Sequence, residues 1–270
     1  MITNLFYVVF LVIIICSSSF LISVSHSDGE VEYNYKSGDS KGPENWGKIK
    51  PEWKLCGIGK SQSPIDILNN MVQELPELGK LEKNYKPAPA VLKNRSHDVK
   101  LVWNGDAGKF DIKGISYKLV NCHWHIPAEH TLNGTKFDME LHAVHQNSKG
   151  EIAVIGIWYK IGGQDSFLSK LLEKIKLIGD KDMDIGKINP KKIKFGSKNY
   201  YRYIGSLTTP PCTEGVIWTV LQKVRTVSSE QLKVLKEAVH PGFEENARPT
   251  QDLGEKQVFS YNSKKKVVQE

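Results

Sequence analysis

The chain has 270 residues, a formal net charge of +7, 40% hydrophobic residues and 25% charged residues. That length suits one large domain or two small ones with a substantial core, and the composition is ordinary for a globular protein. The lysines are dispersed among acids, and Lys264-Lys265-Lys266 lies near a terminus, so a solvated basic surface is expected and no nucleic acid partner.

The first charged side chain is Asp28; before it, Leu5 to Ile15 is almost wholly apolar and small polar residues follow from Ser17 to Ser27. This is the apolar core and cleavage region of a secretory signal peptide, although no Lys or Arg precedes it. A retained anchor would need Leu5 to Val24 to span a bilayer, but Ser17, Ser18 and Ser19 interrupt the run and no basic flank follows. Residues 1–25 are therefore expected to be removed, leaving 26–270 as one domain with no membrane attachment.

Residues before Pro51 are rich in Gly, Ser, Asn and Tyr and read as an irregular arm. The middle of the chain alternates as strands do, at Val99, Leu101 and Trp103, at Phe110 and Ile112, and less regularly from Ile115 to Leu119. In the run Asn121-Cys122-His123-Trp124-His125, the two histidines are two residues apart, so a strand points both imidazoles to one face. In the next strand Phe137, Met139, Leu141 and Ala143 form one face and Asp138, Glu140 and His142 the other. A turn at Asn147-Ser148-Lys149-Gly150 then leads into the β-branched run Ile152 to Tyr159, which predicts an antiparallel hairpin ending in a central strand. Two helices are expected. Ser166 to Ile178 places Phe167, Leu168, Leu171, Leu172 and Ile175 on one face, and Ser228 with Gln231 offers a capping box ahead of Leu232. The fold class is mainly β, mostly antiparallel, with a few peripheral helices.

Six of the eight histidines fall between His97 and His145. If the His142 strand pairs beside the first, His123, His125 and His142 converge with no fourth protein ligand, which describes an open zinc site with water in the vacant position. A structural zinc site would be closed by four protein ligands, so that alternative fails on ligand count. Of the four cysteines, Cys16 lies in the leader, and Cys122 points away from the face of its neighbour His123. Cys56 and Cys212, in Gly/Pro-rich loops, are the better disulfide pair; closing so long a loop is worth roughly 4 to 5 kcal/mol in the chain-entropy model. The sequons Asn94-Arg95-Ser96 and Asn133-Gly134-Thr135 agree with secretion.

Several motifs occur together and in order: Gly42-Pro43-Glu44-Asn45-Trp46, Gln62-Ser63-Pro64-Ile65-Asp66-Ile67, the histidine strand with Glu129-His130-Thr131, and Glu140-Leu141-His142-Ala143-Val144-His145. Gly205-Ser206-Leu207-Thr208-Thr209-Pro210-Pro211-Cys212 and Asn246-Ala247-Arg248-Pro249 complete them. Over residues 42–258 this resembles the α-class carbonic anhydrases of the plant-like branch, whose relatives include nectarin- and dioscorin-type proteins. The resemblance implies a twisted, mostly antiparallel sheet of about ten strands with zinc at the floor of a cone. It implies reversible hydration of carbon dioxide to bicarbonate and a proton by zinc-bound hydroxide, with esterase activity at the same site. It makes His123, His125 and His142 the ligands, and Thr208 a link from the hydroxide to Glu129. Glu140 and Asn121 would support the ligand histidines from behind, Asn121 standing where the family usually has Gln and being one methylene shorter. Val144, Val154, Leu207, Thr209 and Trp218 would line the substrate pocket, and His97 would be the proton shuttle. A monomer or homodimer in the secretory pathway is implied, extracellular or in the cell wall, or reaching the chloroplast by the secretory route. The competing reading is a secreted storage or nectar-type protein on the same fold with weak or no hydratase activity.

Overall fold

The computed structural model describes residues 32–263; the expected signal segment and Lys264-Lys265-Lys266 lie outside the described residues. Among these, a 12-stranded sheet dominates, beside a small three-stranded one. Its middle runs, in spatial order, through Ala88–Asn94, Val99–Trp103, Ile115–His125, Met139–Gln146, Ile152–Ile161, Glu214–Val227, Tyr200–Ser206 and Val258–Tyr261. Neighbours there are antiparallel except Ile152–Ile161 against Glu214–Val227. Val258–Tyr261 adds a second parallel pair with Val72–Glu74. The mainly β, mostly antiparallel expectation is met, with more strands than the ten expected.

The hairpin forms as its turn residues dictate: Met139–Gln146 pairs antiparallel with Ile152–Ile161, Val144 opposite Val154. Gly150 takes φ 85°, a left-handed conformation that costs a residue without Cβ little. Phe137, expected on the face of Met139, Leu141 and Ala143, instead precedes the strand, which begins at Met139, and packs on the other cluster, its ring 5.0 Å from that of Trp158.

Both faces of the sheet are covered. Cys122, Trp124, Leu141, Ala143, Ile155 and Ile157 join a core that includes Leu168, Leu171 and Ile175 of the helix Leu168–Lys176 and Leu232 and Leu235 of the helix Ser229–Ala238. The second helix carries the capping box, with Ser228 and Gln231 satisfying each other's backbone N–H groups. The other face carries the histidines and the cluster of Ile65, Ile67, Val154, Trp158, Tyr203, Trp218 and Val220. Cys56 and Cys212 form a disulfide across 156 residues, with Cα atoms 5.1 Å apart. Cys122 is a free buried thiol, and burial pushes its pKa up. Among the described residues no helix is long and apolar enough to cross a membrane.

Candidate metal centre

The ladder between Ile115–His125 and Met139–Gln146 sets His142 opposite His123 and Glu140 opposite His125. All four side chains therefore share one face, and one nitrogen from each of the three histidines lies within 4.8 Å of the others. The rings sit 4.6 to 5.4 Å apart, and His125 and His142 are buried while His123 is partly open. Burial holds His123 and His142 below the ordinary histidine range, so both are neutral near pH 7, the form that ligates metal.

Each ring has an acceptor behind it. His123 Nδ1 donates to Asn121 Oδ1 at 3.1 Å, so the shorter side chain still reaches. His125 Nδ1 donates to the main-chain carbonyl of Asn246 at 2.8 Å, and His142 Nε2 donates to Glu140 Oε1 at 3.0 Å. These bonds leave Nε2 of His123 and of His125 and Nδ1 of His142 without protons on the inner side. His125 Nε2 is a buried atom with no hydrogen-bond partner, as is Glu129 Oε2. Buried polar atoms are rarely left so, and three inward imidazole nitrogens fit zinc in type and number.

Glu140 is fully buried and anchors the surroundings: its Oε2 accepts from the N–H groups of Glu129 and His130, and its Oε1 from His130 Nδ1 as well as His142. Burial alone would raise its pKa, but His130, His142 and the bonds they donate hold it well below the carboxylate range. Glu129 Oε1 accepts the Arg248 N–H at 2.9 Å. The arginine is buried, its fork donating to Gln62 Oε1, the Ser63 carbonyl and the Cys56 carbonyl, which ties the site to the disulfide loop. Asn246 and Arg248 received no role from the sequence. Their motif was visible, but a main-chain acceptor carries no mark in the side chain that bears it.

Thr208 is buried, yet the expected bond to Glu129 is not formed: Oε1 accepts the Arg248 main-chain N–H and Oε2 has no hydrogen-bond partner. Val144, Val154 and Trp218 make a cross-strand row on the histidine face, with Trp218 4.8 Å from His142 and Leu207 packed on the same cluster. Thr209 follows as a half-buried residue whose carbonyl accepts the Cys212 N–H. His97 departs from a shuttle's usual setting. It is 8% exposed with its ring 5.3 Å from that of Tyr33, and burial pulls its pKa to about 3.

The sequons differ. Asn94 donates its amide to the Ala238 carbonyl at 2.8 Å, whereas Asn133 sits exposed at a turn with φ 48°.

The model of the eukaryotic-type carbonic anhydrase family matches residues 41–262. Alpha carbonic anhydrase 4 of Arabidopsis thaliana is 51% identical over 243 residues, spanning 89% of this chain and 91% of that protein. Carbonic anhydrase Nec1 of Nesocodon mauritianus is 41% identical over 255 residues, covering 92% of each. The solved structure of dioscorin complexed with ascorbate superposes with a TM-score of 0.84 at 42% identity, covering 86% of this chain and 98% of that one. Sequence match, relatives and fold agree that the chain belongs to the eukaryotic-type, α-class carbonic anhydrases, among their plant members.

Proposed function

We propose that this chain hydrates carbon dioxide reversibly to bicarbonate and a proton, using zinc held by His123, His125 and His142. The observation that carries this reading is the inward nitrogen triad, backed on every ring by an acceptor and open to a non-protein ligand. Zinc in such a site supplies a Lewis acid that makes a nucleophile from water near pH 7, the established behaviour of carbonic anhydrase itself.

The chain's own residues do the rest. Asn121, the Asn246 carbonyl and Glu140 fix which nitrogen of each ring carries the proton. Glu129 Oε2, buried and without a hydrogen-bond partner, would accept the Thr208 hydroxyl in the working site, a bond the structure does not form. A Thr208 oxygen whose proton is given to Glu129 can only accept, so it holds a nucleophile that bears hydrogen and aims its lone pair. Val144, Val154, Leu207 and Trp218 offer an apolar wall suited to an uncharged substrate, and half-buried Thr209 follows Leu207 two positions on. His97 carries the released proton only after turning out from beneath Tyr33, because burial keeps it neutral where it lies. The Cys56–Cys212 disulfide supports an oxidising, secretory compartment.

The test is carbon dioxide hydration by the zinc-loaded protein and its His142→Ala variant. Catalysis is expected in the first and loss of both zinc and rate in the second. No rate in either overturns the reading.

A further inference from the structure

The strand Tyr200–Ser206 serves two surfaces. Tyr201 and Tyr203 pack into the cluster on the histidine side, and Arg202 and Ile204 alternate to the opposite face. There Arg202 lies between Thr219 and Phe259 on the adjoining strands. A cavity of about 890 Å³ opens on this face, with Leu75, Ile217 and Phe259 among its apolar walls. Its volume lies in the range that holds small organic molecules. Its charged lining is four basic side chains, Lys60, Lys113, Arg202 and Lys256, against two acidic ones, Asp252 and Glu255.

Arg202 is only 8% exposed, yet among the described residues no carboxylate pairs with it. Its Nε donates to Thr219 Oγ1 at 3.0 Å and its guanidinium lies 5.2 Å from the centre of the Tyr200 ring. That leaves the two fork nitrogens with no hydrogen-bond acceptor among the described residues. The guanidinium also lies 6.0 Å from the centre of the Phe110 ring, and a fork without an acceptor beside a cavity matches a carboxylate in two parallel bonds.

We propose that this cavity binds a small organic monoanion, a carboxylate with an apolar body, on the side of the sheet away from the histidines. The carboxylate pairs with the Arg202 fork, and the hydrocarbon lies against Ile217, Phe259 and Leu75. The apolar walls beside the Arg202 fork suit a negative charge carried on a hydrocarbon better than a free inorganic anion.

The test is calorimetric titration of the whole folded protein with octanoate, 1-octanol and inorganic phosphate at fixed ionic strength, with amide NMR shifts read alongside. Octanoate is expected to bind at one site, at least tenfold tighter than octanol, with no measurable phosphate binding and with shifts gathered at Arg202, Ile217 and Phe259. Arg202→Gln is expected to weaken octanoate at least tenfold. Should that variant fail to fold, Ile204→Glu places a negative charge at a half-exposed position of the same lining and is expected to do the same. Equal affinity for octanol, unchanged affinity in Ile204→Glu, or shifts confined to the histidine cluster would overturn the proposal.

Discussion

Replacing Glu140 with glutamine keeps the shape of the side chain and changes one acceptor into a donor. The carboxylate now accepts four bonds of 2.8 to 3.0 Å, two from backbone N–H groups and two from imidazole rings. There is no room to escape, since a Cβ built on Gly156 would stand 2.8 Å from Glu140 Oε1. If the amide oxygen keeps the two backbone donors, the NH₂ group faces His130 Nδ1 and His142 Nε2. Leaving two buried donors unsatisfied at about 1–3 kcal/mol each costs about 2–6 kcal/mol of folding stability. His142 can relieve its share by turning Nε2 into an acceptor, but the proton then sits on Nδ1, the nitrogen needed by the metal. Either way zinc binding suffers, and loss of a supporting acceptor typically weakens it about 10- to 100-fold, or about 1.4–2.7 kcal/mol. The assay is zinc competition against a chelator of known affinity, with urea unfolding of the metal-free variant beside it. Zinc affinity within twofold of the parent, together with unchanged unfolding, would refute the role given to Glu140.

In dilute buffer, His97→Ala is expected to slow turnover, by roughly 100-fold if proton transfer then limits the rate, and added imidazole is expected to restore it. Undiminished turnover would remove His97 from the proton path. Burial holds His145, between the Tyr85 hydroxyl and the Ala153 carbonyl, at about pKa 4. Below the unfolded value of roughly 6.5 the unfolded chain gains a proton that the folded chain refuses, so stability falls by about 3 kcal/mol by pH 4. Urea midpoints at pH 7 and 4.5 check this, and His145→Gln should shrink the difference by about that share while His97, His123 and His142 keep theirs; a difference unchanged in the variant would contradict it. Expressed through a secretory pathway, Asn133→Gln is expected to abolish a glycan shift on a gel and Asn94→Gln to leave it, since the Asn94 amide is bonded to the Ala238 carbonyl.

What could be read in advance was local or periodic. The hairpin from Met139 to Ile161 follows from alternation and one glycine turn, and the Ser228–Gln231 cap from two residues three apart. Convergence of His123 and His125 needs only the two-residue period of a strand. The parallel pairing of Ile152–Ile161 with Glu214–Val227 has no local mark, because the two strands are separated by a long stretch of chain. The acceptor of His125 is a backbone carbonyl of a residue 121 positions away, and any residue type could have supplied it. His97 looked like a group that titrates near neutrality because its cover, Tyr33, belongs to the irregular arm, where sequence pattern says nothing about packing. Nothing in the run Tyr200–Ser206 marks Arg202 out, and only the assembled sheet reveals the cavity beside it.

The most direct test of the central claim is stopped-flow carbon dioxide hydration on purified mature protein, with metal content determined on the same sample. The account predicts one zinc per chain and hydration well above the uncatalysed rate, both lost when the zinc is stripped and both restored when it is returned. Protein that binds zinc stoichiometrically and hydrates nothing, or that binds no zinc at all, would contradict it.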